Sequence, residues 1–217
     1  MKTKRIGVFD SGLGGKSVAN AIQVALPDAE VIYVDDKEHV PYGNKSPKGL
    51  KALTLPILNK LSNDCDIIVI ACNTVTTTII DDLRASLPVP LIGMEPMVRP
   101  AATQTKSGVI AVCATPSTLA SKRYQWLKDE YATGIRVVEP DCSDWSSMIE
   151  ANAIDKDHIA QRIEAALAQG ADVIVLGCTH YHWIEEMIKK IVAGRALVLQ
   201  PEQPVIEQLK RVLEQQS

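Results

Sequence analysis

The sequence predicts an α/β protein made of two similar doubly wound lobes, with mostly parallel sheets that face one another across a cleft. Two observations carry this prediction. Short runs of valine and isoleucine alternate with longer amphipathic stretches along the chain, and runs such as IIVIA and VIVLG are apolar throughout. Continuous apolar runs are typical of parallel strands covered by helices on both faces. Their alternation with helices indicates a doubly wound architecture.

The individual elements follow from these runs and from the residues that end them. Strands are expected at 5–9, 30–35, 66–71, 90–93, 108–113, 135–138, 172–177 and 196–199. Helices are expected at about 14–25, 47–62, 76–86, 117–130, 155–169, 182–193 and 202–215. Pro27 and Pro88 end the first and third helices, and Gly170 closes the fifth. Thr115 followed by Pro116 predicts a helix cap with proline at the first helical position.

One segment occurs in two related versions. DIIVIACNT at 66–74 parallels DVIVLGCTH at 172–180, and in both the acidic residue stands six positions before the cysteine. Each version holds the third strand of its half of the chain. We therefore expect one lobe at 1–95 and a second at 96–200, with a final helix at 201–217 packing back on the first. Two such lobes would bring the carboxyl ends of their strands together over one cleft.

Composition and charge exclude several classes of protein. The 217 residues carry a net charge of −3, with acidic and basic residues mixed along the chain, so we expect no nucleic acid or membrane as partner. The longest apolar runs, about seven residues, are too short to span a membrane. The amino terminus does not have the apolar length of a secretory signal, which indicates a cytoplasmic protein. Five cysteines without a CxxC pair argue against disulfides and a thiolate zinc site.

Two of the cysteines, Cys72 and Cys178, stand at matched positions just past an apolar strand. A cysteine is often only a small buried hydrophobe, and we assign that role to Cys65, Cys113 and Cys142. The matched pair instead precedes polar residues, where a reactive thiol would meet a substrate. Two thiols on opposite sides of a cleft suit racemisation, because one takes a proton from a carbon while the other returns one to the opposite face.

Other strand ends supply further candidate groups. The turn DSGLGG at 10–15 predicts a backbone cradle for a carboxylate; nucleotide binding is the alternative, although the glycine spacing fits neither common phosphate motif. The turn VPYGNKS at 40–46 offers the Tyr42 hydroxyl and backbone amides to a small polar ligand. A thiol needs its pKa depressed to work near neutral pH, and the following helix N-terminus would contribute to this. His180 is expected to assist Cys178, and Asp10 to assist Cys72 or to orient a substrate ammonium.

Five motifs in order along the chain resemble the glutamate racemase family of the aspartate/glutamate racemase superfamily. They are DSGLGG (10–15), VPYGNKS (40–46), ACNT (71–74), GMEP (93–96) and LGCTHY (176–181). The resemblance implies interconversion of L- and D-glutamate without metal or cofactor, supplying D-glutamate for peptidoglycan. It also implies acid/base roles for Cys72, facing the D-form, and Cys178, facing the L-form. We further expect a homodimer. The substrate-binding positions implied are Asp10, Ser11, Tyr42, Gly43, Asn73, Thr74, Thr179 and His180, with Glu150 as an auxiliary group.

The sequence also departs from the family. It is some tens of residues shorter, His182 stands where the family generally has proline, and the segments 139–145 and 199–202 are atypical. These differences leave open the same chemistry on another amino acid, such as aspartate, or with broad specificity. A non-catalytic amino-acid-binding homologue is a further alternative. A Cys–His hydrolase would need a single cysteine rather than a symmetric pair.

Overall fold

The computed structural model describes residues 3–215 and contains two four-stranded sheets in which all the pairings are parallel. The first sheet has the order β2-β1-β3-β4 and the second β6-β5-β7-β8. Their strands are β1 Arg5–Asp10, β2 Glu30–Asp35, β3 Ile67–Ile70, β4 Leu91–Gly93, β5 Val109–Ala114, β6 Arg136–Val138, β7 Val173–Gly177 and β8 Leu197–Leu199. The two-lobed α/β fold is therefore confirmed. Residues 1, 2, 216 and 217, which belong to the expected first lobe and final helix, lie outside the described residues.

The registers explain why functional groups collect at one edge of each sheet. Phe9 in β1 pairs with Ile70 in β3, and Ala114 in β5 pairs with Gly177 in β7. Because these neighbouring strands are parallel and end together, the residues that follow them emerge side by side. Both lobes repeat this arrangement, as the two related segments of the sequence predicted.

Helices and 3₁₀ turns connect the strands. The α-helices are α1 Gly15–Ala25, α2 Pro47–Asp64, α3 Asn73–Ser86, α4 Val98–Gln104, α5 Pro116–Ala120, α6 Lys122–Tyr131, α7 Trp145–Glu150, α8 Lys156–Ala168, α9 Glu185–Val192 and α10 Glu202–Gln215. The 3₁₀ turns are Lys37–His39, Tyr42–Asn44 and Thr179–Ile184. The Thr115 cap is confirmed, since its side chain accepts a hydrogen bond from the Thr118 amide.

Several helices differ from the predictions. The helix predicted at 117–130 is broken at Ser121, whose backbone is extended and whose hydroxyl caps α6 by accepting from the Tyr124 amide. Helix α3 begins three residues before the predicted start at 76, which makes Cys72 its N-cap. The first part of the helix predicted at 182–193 is a 3₁₀ turn. Helices α4 and α7 were not predicted, because each is only about one or two turns long and gives little periodic signal.

Apolar cores lie on both faces of each sheet. The last helix, α10, packs its buried residues Val205, Ile206 and Leu209 into the same cluster as Ile6 and Val69 of the first sheet. Across residues 3–215 we find no helix long and apolar enough to cross a membrane.

Candidate active site

The carboxyl ends of the central strands from both sheets meet at one cleft between the lobes. Its cavity has a volume of about 20 Å³, enough for roughly one water molecule. The lining residues are Ser11, Pro41, Tyr42, Gly43, Asn44, Cys72, Asn73, Thr74, Thr115, Pro116, Ser143, Ser146, Cys178, Thr179 and His180. The lining thus includes both predicted cysteines and most of the expected substrate-binding residues. Asp10 and Glu150 lie directly behind this lining and contact it through Thr179 and His180.

Cys72 belongs to the first lobe and is the N-cap of α3. Its side chain is buried, and its thiol donates to the hydroxyl of Ser11 at 3.6 Å. Burial raises the pKa of the Cys72 thiol, and the negative charge of Asp10 raises it further. A hydrogen bond from the amide of Val75 at the helix N-terminus acts in the opposite direction but is outweighed. The expectation of a depressed pKa at this thiol was therefore wrong for the closed cleft, because desolvation exceeds the helix contribution.

Cys178 follows β7 directly and occupies the same position in the second lobe. Its sulfur lies 3.6 Å from the hydroxyl of Ser146 and 3.7 Å from Nδ1 of His180. These two neighbours place polar hydrogen-bonding groups beside a thiol that is otherwise buried in the apolar core of its lobe. The expected proximity of His180 to Cys178 is present in the structure.

His180 connects Cys178 to a carboxylate behind the cleft. Its Nε2 lies 2.6 Å from Oε1 of Glu150, and the same oxygen accepts the amide of Leu13 at 2.8 Å. Burial opposes the charged imidazolium, but the hydrogen bonds to Cys178 and Glu150 outweigh it and raise the pKa of His180 to about 11. The hydrogen bond with His180 in turn lowers the pKa of Glu150. His180 is therefore a cation at neutral pH, next to the Cys178 sulfur.

The turn at 10–15 holds carboxylates, but they come from the protein itself. The amide of Gly15 donates to Asp10 at 2.6 Å, and the amide of Leu13 donates to Glu150. The expected cradle for a ligand carboxylate was therefore wrong for these two amides. Asp10 is fully buried, and this burial raises its pKa. Its oxygens also accept the Thr179 hydroxyl at 3.2 and 3.3 Å, which ties the first lobe to the second.

Asn73 presents an unsatisfied amide group in the cleft. The residue is 2 % exposed, and across residues 3–215 neither its side-chain oxygen nor its nitrogen has a hydrogen-bond partner. A buried amide normally finds partners, because desolvating it without compensation costs about 1–3 kcal/mol. The Asn73 side chain is therefore free to donate to and accept from a ligand in the cleft.

Hydroxyl groups and a glycine also join the two lobes where they line the cleft. The hydroxyl of Thr74 lies 2.8 Å from that of Thr115, which in turn donates to Thr118 at 3.0 Å. The carbonyl of Gly43 accepts the Ser117 hydroxyl at 2.5 Å. A Cβ atom on Gly43 would approach Cβ of Thr115 to 2.9 Å, so this contact needs glycine.

The hydroxyl of Tyr42 differs from expectation in its orientation. It donates to Oδ2 of Asp36 at 2.5 Å rather than standing free in the cleft. Burial raises the pKa of Tyr42, as does the hydrogen bond with Asp36, so the phenol stays protonated. The ring and the backbone of Tyr42 are therefore the parts available to a ligand, because its hydroxyl is hydrogen-bonded to Asp36.

The sequence interpretation missed four lining residues of the second lobe, which are Thr115, Pro116, Ser143 and Ser146. Thr115 follows β5 as Ser11 follows β1, so the topological rule that identified Ser11 applies to it as well. Ser143 and Ser146 come from the atypical segment and from the unpredicted helix α7, and no local signal indicated them.

The remaining cysteines lie within the apolar cores. Cys65 belongs to the cluster beneath α2 and α3, and Cys113 and Cys142 belong to the core of the second sheet. All five cysteines are free thiols. Over the described part of the chain, no group of three or more His, Cys, Asp or Glu side chains could hold a metal ion.

Comparison with known proteins agrees with this geometry. The family model described as Asp/Glu/Hydantoin racemase matches residues 15–209. The chain belongs to this family. A glutamate racemase of Pseudomonas entomophila (strain L48) is 40 % identical over 214 residues, covering 96 % of this chain and 81 % of the relative. The resemblance to glutamate racemases is thereby confirmed, and this member of the racemase family is an amino-acid racemase.

Two solved structures of racemases show the same fold. The crystal structure of Escherichia coli glutamate racemase in complex with L-glutamate and the activator UDP-MurNAc-Ala superposes with a TM-score of 0.90 at 26 % identity, covering 98 % of this chain and 83 % of that one. The Francisella tularensis glutamate racemase in complex with D-glutamate gives a TM-score of 0.81 at 27 % identity, covering 100 % of this chain and 83 % of that one.

Proposed function

We propose that this racemase interconverts L- and D-glutamate by a two-base mechanism in which Cys72 and Cys178 are the acid and the base. The observation that carries the proposal is the placement of two buried thiols, one from each lobe, on the lining of a single cleft. Each follows an inner strand of its sheet, β3 or β7, so the two approach a bound carbon from different lobes.

The proposed reaction balances within the site. One cysteine, as thiolate, takes the proton from the α-carbon of the amino acid, and the electron pair stays on that carbon. The other cysteine, as thiol, gives its proton to the opposite face, which yields the mirror-image amino acid. The two residues have then exchanged protonation states, and the reverse reaction uses them in exchanged roles. Following the family precedent, we assign Cys72 to the D-form and Cys178 to the L-form.

Charges around the site support this proton transfer. The His180 cation lies 3.7 Å from the Cys178 sulfur, beside the atom that would take or give the proton. At Cys72, in contrast, burial and the negative charge of Asp10 raise the pKa of the thiol. The ammonium group of a bound amino acid would offset that negative charge. We propose that Asp10 contributes in this way to orienting the substrate.

Groups left unsatisfied in the cleft favour an amino acid as the ligand. The Asn73 amide lacks partners in the described part of the chain, and the hydroxyls of Ser11, Thr74 and Thr179 line the same cavity. We propose these residues, with Tyr42, Gly43 and His180, as the substrate-binding set, and Glu150 as an auxiliary group that acts through His180. The relatives bound to L- and D-glutamate support glutamate as the substrate.

Substrate entry requires the cleft to open. A cavity of about 20 Å³ holds roughly a water molecule, and an amino acid is several times larger. We propose that the lobes, 1–95 with the final helix 201–217 and 96–200, separate to admit glutamate and close around it. Closure excludes water, which strengthens the electrostatic interactions of the reacting groups.

We also propose the cellular setting that the relatives imply. D-glutamate made by this enzyme would supply peptidoglycan synthesis. Free thiols at all five cysteines suit a reducing compartment, so we assign the reaction to the cytoplasm. We propose a homodimer as the assembly; light scattering coupled to size-exclusion chromatography gives its mass directly.

Incubation with L-glutamate in deuterium oxide tests the proposal. Chiral chromatography should detect D-glutamate, and mass spectrometry should find deuterium at its α-carbon. A panel of L-amino acids under the same conditions distinguishes glutamate from aspartate or broad specificity. A folded protein that binds glutamate but neither racemises nor exchanges it would establish the non-catalytic alternative instead.

A further inference from the structure

Each proposed catalytic thiol has one serine hydroxyl at the same distance. Ser11 lies 3.6 Å from the Cys72 sulfur, and Ser146 lies 3.6 Å from the Cys178 sulfur. Both serines are buried, with 4 % and 6 % of their surface exposed. The likeness is notable because the two serines do not occupy equivalent places in the two lobes.

The equivalent of Ser11 in the second lobe is Thr115, since each residue directly follows the first strand of its sheet. The Thr115 hydroxyl is engaged elsewhere, with Thr74 at 2.8 Å and Thr118 at 3.0 Å. The Thr115 hydroxyl is therefore not the hydrogen-bond partner of Cys178. In the second lobe, the hydroxyl beside the thiol belongs to Ser146 of α7, the helix that follows β6.

Helix α7 holds Ser146 firmly against the thiol. Its neighbours Trp145 and Ile149 are buried in the core of the second lobe, and Trp145 packs edge-on against Tyr181 at 5.1 Å between ring centroids. The next serine along the helix, Ser147, is exposed. The packing of α7 thus directs one of two adjacent serines into the cleft.

We propose that Ser146 is a positioning residue for Cys178, accepting a hydrogen bond from its thiol and donating one to its thiolate. A hydroxyl can do both, because it carries one proton and two lone pairs and can rotate. Only rotation of the Ser146 hydroxyl is needed as Cys178 loses or gains its proton.

This role rests on the proposed function, in which Cys178 alternates between these two states. The titratable groups that face Cys178 are His180, Cys72, Tyr181 and, through His180, Glu150. All of them remain when Ser146 is changed. Loss of a hydrogen bond that stabilises the thiolate should slow the reaction of the Cys178 sulfur with an alkylating reagent about tenfold.

The test measures each thiol separately, without relying on racemisation. The intact protein is alkylated with iodoacetamide across a pH series, and peptide mass spectrometry gives the rate at each cysteine. In Ser146→Ala, Cys178 should react about tenfold more slowly at neutral pH, while Cys72 is unchanged. Ser11→Ala should slow the reaction of Cys72 and leave Cys178 unchanged. Ser147→Ala should change the rate at neither cysteine. Ser146→Thr, which keeps a hydroxyl, should react at Cys178 as the wild type does.

Racemisation in the same variants completes the experiment. Ser146→Ala should lower kcat about tenfold, with wild-type thermal stability showing that the fold is intact. An unchanged alkylation rate at Cys178 in Ser146→Ala would overturn the inference, whether or not the protein racemises glutamate. If the wild type itself fails to racemise, the proposed function is wrong, while the alkylation result still decides the contact between Ser146 and Cys178.

Discussion

Nε2 of His180 lies 2.6 Å from Oε1 of Glu150, and the two side chains form an ion pair at the back of the cleft. The opposite ring nitrogen of His180 faces the sulfur of Cys178. Glu150 is therefore one step removed from the reacting thiol and can influence it through the charge of His180. The contact also joins residues of α7 to the turn that follows β7, so it depends on the packing of the second lobe.

Replacing Glu150 with glutamine should lower the pKa of His180 from about 11, because the neutral amide keeps the hydrogen bond but removes the negative charge. We expect a fall of about 1–3 pH units, measured by NMR of the imidazole, and a loss of about tenfold in kcat. Because the pKa of His180 is raised above 6.5 and that of Glu150 is lowered below 4.5, the ion pair stabilises the protein fully between about pH 4.5 and 6.5 and less as pH rises toward 11 or falls below 4.5. Glu164→Gln, which removes an exposed carboxylate paired with Arg195, is the matched control. An unaltered His180 titration would contradict the assignment.

Replacing Cys72 or Cys178 with serine should reduce racemisation by about 10²–10⁴-fold, because a hydroxyl is a much weaker acid and base near neutral pH. A variant that keeps the other thiol can still exchange the α-proton of one enantiomer for deuterium. Cys65→Ser, in the core of the first lobe, serves as the control and should retain activity. Normal racemisation by Cys178→Ser would rule out the two-base mechanism.

Replacing Gly14 with alanine should impair closure of the cleft. The added Cβ would lie 2.6 Å from the backbone of Thr179 and His180, and backbone atoms cannot move aside cheaply. Misplacing one lobe against the other by about 1 Å should reduce kcat/KM on the order of 10²-fold. Gly49→Ala is the control, since its Cβ would meet only the Ser46 hydroxyl at 3.4 Å, and alanine favours the helix. Equal kcat/KM for both variants would show that closure tolerates the change.

Because of His182, the free energy of unfolding should depend on pH in the mildly acidic range. Burial, together with the nearby charge of His180, lowers the pKa of His182 to about 4, and its Nε2 has no partner among the described residues. Because the unfolded chain takes up this proton near pH 6.5, the free energy of unfolding should fall as pH drops from 6.5 to 4, by up to about 3 kcal/mol.

The variant His182→Gln tests this dependence, because glutamine retains polarity without titrating. Denaturant unfolding at several pH values should give a flatter curve for the variant than for the wild type. Ser17, whose hydroxyl lies 3.4 Å from Nδ1 of His182, keeps its bond to the carbonyl of Gly14 in both proteins. If the free energies of unfolding of the two proteins fall equally with pH, a group other than His182 causes the loss of stability in acid.

The fold could be predicted from local patterns, and so could the placement of the two thiols. Apolar runs such as those of β3 and β7 show in the sequence as fully buried strands. A residue one or two positions past such a strand lies at the edge where α/β proteins bind ligands, which identified Cys72 and Cys178. Short helices such as α7 escaped prediction, because six residues carry almost no periodicity.

The sequence by itself determined two parallel sheets, most of their longer helices and the matched cysteines, because these depend on residues close together in the chain. Only the tertiary structure decided the partners of those cysteines. Asp10 meets Thr179 across 169 positions of sequence, Leu13 meets Glu150 across 137, and Ser146 meets Cys178 across 32. Such contacts arise from the docking of the lobes and the packing of α7, which local periodicity does not encode. The glycine turn shows the difference, since its Gly15 amide binds Asp10 within the turn, whereas its Leu13 amide binds Glu150 of the other lobe.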